Sequence, residues 1–182
     1  MRIIATVLRI YAGLLLLSLG WIYFRNELHW TLFIRVSQDR FWLDLLVGIG
    51  SAAFIIGLSV FSSKNFHWAQ LLEEEFAKVL VPLQLGEIAL IALLSGLVEE
   101  TLFRGAIQPV LGLIPTSLLF GLAHLVPRRV FLPWPAYAAF AGFLLGSVVE
   151  LTRDLFPAIL AHCVVNFVLI VMLNHRRNVQ PA

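Results

Sequence analysis

The chain has 182 residues, 60% of them hydrophobic and only 13% charged, and its mean hydropathy of +0.90 is higher than a soluble domain with one core requires. The formal charge of +2 is small and its arginines are scattered between apolar runs, which excludes the basic stripe of a nucleic-acid-binding protein. A single cysteine, Cys163, excludes an internal disulfide and a Cys-rich metal site, and its apolar surroundings read as those of a small core residue.

At about 20 residues per span, apolar segments can be marked off along nearly the whole length. The first, 3–24, follows Arg2 and Arg9 as a secretion signal would, but it runs on through Trp21, Tyr23 and Phe24 without a small-x-small cleavage site and reads as an uncleaved span. A mixed loop over 25–40 places Trp30 and Phe33 at the lipid boundary, and a second span covers 41–61. From 66 to 81, Trp68, Leu72, Phe76 and Leu80 recur every fourth residue, with Glu73, Glu74, Glu75 and Lys78 between them. That spacing predicts an amphipathic interfacial helix with a solvated acidic face, ended by Pro82.

A third membrane helix is expected over 85–108, bent or ended by Pro109. The apolar run 116–126 is half a membrane thickness, so it borrows 111–114 or stays short within the bundle. Segments over 134–151 and 156–173 complete the set. The expected fold is all-α: a polytopic membrane bundle of about six transmembrane helices plus the interfacial helix, one integral-membrane domain over 1–182 with a catalytic core at about 85–173. Trp21, Trp30, Trp42, Trp68 and Trp134 fall near span ends and read as an anchoring belt. With the N-terminus inside, Arg2, Arg9, Lys64, Lys78, Arg128, Arg129, Arg176 and Arg177 fall on the cytoplasmic side, and Arg25, Arg35, Arg40, Arg104 and Arg153 do not. The bias favours a multi-pass protein of the cell membrane with both termini in the cytoplasm.

Ionisable side chains inside membrane helices are costly unless paired or hydrated, and here they cluster. Glu100 and Arg104 are four residues apart, acid first, which is the favourable order for an intrahelical pair. Glu99 has no such cation on its face and is left to meet a cavity, where burial suits a carboxylate to general-base work. His124 follows Phe120 by four residues; His162 and Asn166, also four apart, project from one stripe of the last helix. An imidazole and an amide side by side can hold the oxyanion of a tetrahedral intermediate, although an interhelical clasp is the plainer use of such a pair. Asp44, Glu87, Glu150, Arg153 and Asp154 read as interface residues, with a carboxylate contact as a second use for Arg153.

Glu99-Glu100-x-x-x-Arg104, Phe120-x-x-x-His124 and His162-x-x-x-Asn166 resemble, in order, the three motifs of the CAAX prenyl protease and bacteriocin-processing (Abi) family. The resemblance spans about 70 residues of the C-terminal half; the first two helices match only in being hydrophobic. It implies a glutamate-dependent intramembrane endopeptidase needing no cofactor. Glu99, helped by His124, would activate water, His162 and Asn166 would stabilise the oxyanion, and Glu100 with Arg104 would order the site. The implied partners are the lipid bilayer and a membrane-embedded or lipidated peptide: a C-terminal sorting tail or leader peptide by preference, otherwise a prenylated C-terminus. A zinc version would take Glu99, His124 and His162 as ligands; it ranks second because no His-Glu-x-x-His helix is present and Asn166 is a poor zinc ligand. A non-enzymatic immunity or partner-binding protein of the same fold, and a proton-coupled carrier relaying through Glu99 and His124, are the remaining alternatives.

Overall fold

The computed structural model describes residues 2–25, 38–80 and 82–179, so Trp30, Phe33 and Arg35 of the expected lipid-boundary loop lie outside the described residues. Among the described residues the secondary structure is entirely helical. The order is α1 (Arg2–Phe24), α2 (Gln38–Asn65), α3 (His67–Leu80), α4 (Leu85–Glu100) running on through a π-helical segment (Thr101–Ile107) into α5 (Gln108–Leu111), α6 (Leu113–Ala123), a 3-10 turn (Arg129–Phe131), α7 (Pro133–Thr152) and α8 (Phe156–Val179).

Among the described residues, four helical stretches are long and apolar enough to cross a membrane: Ile4–Phe24, Arg40–Asn65, Arg129–Thr152 and Phe156–Arg176. A fifth follows only if α3 and the α4–α5 helix, which meet at 111°, count as one broken span. Two of the six expected segments account for the difference. The stretch from Leu85 to Leu111 carries Glu87, Glu99, Glu100 and Arg104, which interrupt its apolarity. The run at 116–126 forms α6, an 11-residue helix, about half of what a crossing needs. It takes in Leu113 and Ile114 of the preceding run, stops before His124 and packs mainly on α7, with Ile114, Leu118 and Leu122 exposed.

Pro109 does not end the helix that carries the acids, which continues to Leu111. The π segment places the Gln108 N–H on the Phe103 carbonyl, five residues back, so the shift to wider hydrogen bonding precedes the proline and its missing N–H is absorbed at the start of α5. Arg25 Nη1 donates to the Ala106 carbonyl at 3.3 Å, tying the end of α1 to this segment. The stop comes at Gly112, whose φ of 81° is open to glycine and strained for other residues.

Helix α8 is the hub, packed against α4, α2, α7 and α3. Its Ala158, Ala161 and Val165 join Ala52 and Ile55 of α2 and Leu145 and Val148 of α7 in the main core. Close approach depends on missing side chains. A Cβ on Gly48 would stand 2.9 Å from the Pro157 carbonyl, and one on Gly96 would stand 2.9 Å from the Cys163 backbone nitrogen. Small residues of this kind bring membrane helices into van der Waals contact where no hydrophobic effect drives them together. The outer faces remain apolar, with Leu16, Leu17, Phe24, Leu46 and Leu151 all exposed, as a lipid-facing surface requires.

Helix α3 lies across one end of the bundle, and its acidic run is engaged rather than simply solvated. Glu73 accepts from Ser63 of α2 and pairs with Arg176 of α8. Glu75 pairs with Lys78 at 2.6 Å and with Arg128 at 2.7 Å. Other interface expectations also change. Asp44 and Asp154 are each 3% exposed; the Phe156 N–H donates to Asp154 Oδ1 at 2.8 Å, so this acid caps the entry to α8. Glu150 accepts from Gln108 Nε2 at 3.3 Å. Arg153 ends α7 in the left-handed conformation, φ 58°.

Candidate active site

The antiparallel packing of α4 on α8 sets the register of the site. Asn166 Nδ2 donates to Ser95 Oγ at 2.7 Å. About one turn further along both helices, roughly 6 Å on, Glu100 Oε1 meets His162 Nδ1, also at 2.7 Å. The spacing is five residues on α4 and four on α8, a little over one turn on each, so the two contacts are compatible.

Glu100 is fully buried at 0% exposure and Arg104 is 2% exposed. Arg104 Nη1 donates to Glu100 Oε1 at 3.0 Å and its Nη2 to the Gly142 carbonyl at 2.8 Å. The guanidinium also lies over the Phe120 ring, 4.5 Å from its centroid. A Cβ at position 142 would stand 3.2 Å from Arg104 Nη2 and 3.0 Å from the Phe120 ring, so glycine is what lets α7 bring its carbonyl to the arginine. Glu100 is thus committed on one oxygen to a cation and an imidazole at once.

Glu99 faces the other way, onto a cavity of about 300 Å³ that His124, His162 and Asn166 also line. Its Oε1 accepts a hydrogen bond from Tyr11 of α1 at 2.6 Å. Its Oε2 is buried with no hydrogen-bond partner, 3.7 Å from His124 Nε2 and 4.0 Å from His162 Nε2. Those separations are too long for direct hydrogen bonds and leave space among the three atoms for a small polar species.

The outer nitrogens constrain the tautomers. His124 caps the C-terminal end of α6, and its Nδ1 lies 2.7 Å from the Phe120 carbonyl. A carbonyl only accepts, so Nδ1 carries the proton and, in the neutral ring, Nε2 offers a lone pair to the cavity. His162 Nδ1 likewise donates to the Glu100 carboxylate, so its Nε2 donates only in the doubly protonated ring. Among the described residues, no group of three or more His, Cys, Asp and Glu side chains is disposed to hold a metal ion.

All six residues singled out from the sequence therefore meet in one place, Glu99, His124, His162 and Asn166 on the cavity and Glu100 with Arg104 behind it. Asn166 is less free than an oxyanion donor in isolation, since one N–H is spent on Ser95 and one remains. Four contributors were missed: Tyr11, Ser95, the Phe120 carbonyl and Gly142. Ser95 was signalled, lying four residues before Glu99 on the same helix; Tyr11 stood out only as a hydroxyl in the middle of an apolar run. Trp134, read as a lipid anchor, is packed against the His124 ring, centroids 5.5 Å apart, and against Phe76 at 5.0 Å. Its indole walls the cavity because α7 begins directly beneath the site.

Residues 81–168 match the family model of the Rce1-like type II CAAX prenyl endopeptidases. An uncharacterized protein of Bacillus subtilis (strain 168), YpbD, is 34% identical over 95 residues, 51% of this chain and 47% of that protein. The chain thus spans about half the length of this curated relative. No solved structure matches. The matched stretch holds every site residue from Glu99 to Asn166, so residues 81–168 of this membrane protein are similar to the Rce1-like type II CAAX prenyl endopeptidases over the segment that carries the site.

Proposed function

We propose that the chain is an intramembrane endopeptidase in which Glu99 activates water for attack on a peptide carbonyl. The observation that carries this reading is the convergence of His124 Nε2 and His162 Nε2 on the one unpartnered oxygen of Glu99, within 4.0 Å, at the wall of a cavity. A water held there by Glu99 Oε2 and His124 Nε2 gives its proton to the carboxylate as its oxygen bonds to the carbonyl carbon. The carbonyl π electrons move to oxygen, and this oxyanion is held by the Nε2–H of a doubly protonated His162, its Nδ1–H on Glu100, and by the remaining N–H of Asn166. Collapse of the intermediate breaks the C–N bond, and Glu99 returns the proton to the leaving amine. Glu100 and Arg104 hold His162 without touching substrate.

The cavity runs from Glu99 between α2, α7 and α8 to Ser63, Glu73 and Arg176 beside α3, the end of the bundle where Lys64, Lys78, Arg128 and Arg129 also lie. By the positive-inside bias this is the cytoplasmic side of the cell membrane. The substrate class that fits is a membrane-associated peptide, a sorting tail or leader peptide ahead of a prenylated C-terminus, whose apolar part lies along Leu72, Phe76, Leu80 and Ile170. No metal is required in this mechanism.

The test is comparison of membrane-protein termini in cells carrying the wild-type chain or Glu99→Gln. The reading requires termini that disappear with Glu99→Gln and with His124→Ala and that persist in the presence of a chelator. Loss of activity on chelation would transfer the chemistry to the zinc version with Glu99, His124 and His162 as ligands. An unchanged set of termini would leave the protein as a non-enzymatic membrane factor.

A further inference from the structure

A general base at Glu99 must present one defined oxygen to the cavity, and a carboxylate on a flexible side chain does not do so unaided. Among the described residues Glu99 has no arginine or lysine partner, since Arg104 is spent on Glu100 and the Gly142 carbonyl. What Glu99 has is the Tyr11 hydroxyl on Oε1, at 2.6 Å the length of a charge-assisted O–H···O⁻ bond. Tyr11 is the tenth residue of the 23-residue α1, so it approaches from mid-membrane depth. It also lines the cavity. Helix α1 packs on α4 and the π segment and shows lipid-facing Leu8, Ile10, Leu16 and Leu17 on its exposed side. It lies outside residues 81–168 that match the family model.

We infer that Tyr11 is a positioning residue for the peptidase reaction: its hydroxyl pins Glu99 Oε1 and thereby selects Oε2 as the oxygen that meets water, His124 and His162. This rests on the assignment of Glu99 as the base. It also gives α1 a part in the chemistry, because the matched domain alone lacks the donor. The interaction uses only the phenol oxygen, so Tyr11→Phe keeps the ring and its packing and removes the bond.

Two measurements on the full-length chain test it. In detergent-purified protein with carboxyl-13C glutamate, the infrared band that Glu99→Gln removes is assigned to Glu99; Tyr11→Phe must shift that band, and Glu99→Gln must in turn shift the tyrosine C–O band. The second measurement follows, by pulse-chase, the membrane-protein termini that depend on Glu99. Tyr11→Phe, at wild-type abundance and melting temperature, slows their appearance about tenfold, the rate equivalent of one lost hydrogen bond. A Glu99 band unmoved by Tyr11→Phe, or termini appearing within twofold of the wild-type rate, overturns the inference while Glu99→Gln still defines the active site. If Glu99→Gln changes no terminus, the catalytic reading fails and takes the positioning role with it, whatever the infrared bands show of the contact. A Tyr11→Phe chain that does not fold leaves the decision to the tyrosine band of wild type against Glu99→Gln.

Discussion

His162 Nδ1 lies 2.7 Å from Glu100 Oε1, across the packing of α8 on α4, and the same oxygen receives Arg104 Nη1 at 3.0 Å. One carboxylate oxygen therefore aims an imidazole from the neighbouring helix and neutralises a guanidinium from its own. Two adjacent glutamates that look alike in the sequence are separated by this contact: Glu100 is built into the protein, whereas Glu99 is turned to the cavity.

Removing one member of the buried Glu100–Arg104 pair leaves the other charged and unpaired. Glu100→Gln and Arg104→Met are each expected to cost about 3–5 kcal/mol, read as unfolding free energy in detergent. The double substitution should recover most of that stability and none of the activity, because His162 has lost the Glu100 carboxylate. Additive losses in the double variant would mean that the pair is not the coupled unit described.

Glu99→Gln should behave in the opposite way. It is close to isosteric and still accepts from Tyr11, so the melting temperature stays near that of wild type while processing falls by at least about 10²-fold, the lower end for a lost general base. Parallel melting and processing measurements check the split.

Asn166→Ala removes the remaining amide donor and should lower kcat by about 10²–10³-fold with little change in KM. Ser95→Ala removes only the acceptor that orients the amide and should cost clearly less. Equal losses for the two would make the Asn166–Ser95 contact a clasp between α4 and α8 and nothing more.

Glycine substitutions report on helix approach. Gly96→Ala drives a methyl against Cys163, and Gly142→Ala drives one against Phe120 and Arg104; each is expected to destabilise by about 1–3 kcal/mol through overpacking. Gly50→Ala and Gly57→Ala, with nothing within 4 Å of the added atom, are controls that should leave the melting temperature unchanged or slightly raised.

Helix α3 is fastened over the outer end of the cavity by Glu73 to Ser63 and Arg176 and by Glu75 to Arg128. Glu73→Ala should loosen it, raising hydrogen exchange in His67–Leu80 while α4 and α8 stay protected. Unchanged exchange would show that Leu72 and Phe76, not the ion pairs, hold α3 in place.

Much of this was legible in the residues alone. Apolar runs, helical spacing and the cost of buried charge identify a membrane bundle, and the i,i+4 pairs Glu100–Arg104 and His162–Asn166 lie within single helices, where spacing dictates geometry. Contacts between helices are another matter. That Glu100 aims His162, that Ser95 holds Asn166, that Gly112 rather than Pro109 ends the helix, and that Trp134 faces a histidine instead of lipid all depend on rotations and crossings of neighbouring helices. Tyr11 and Glu99 are 88 residues apart, and no local pattern links them. The periodicity of a helix says which side chains share a face; only packing, governed here by small residues at close crossings, decides what that face meets.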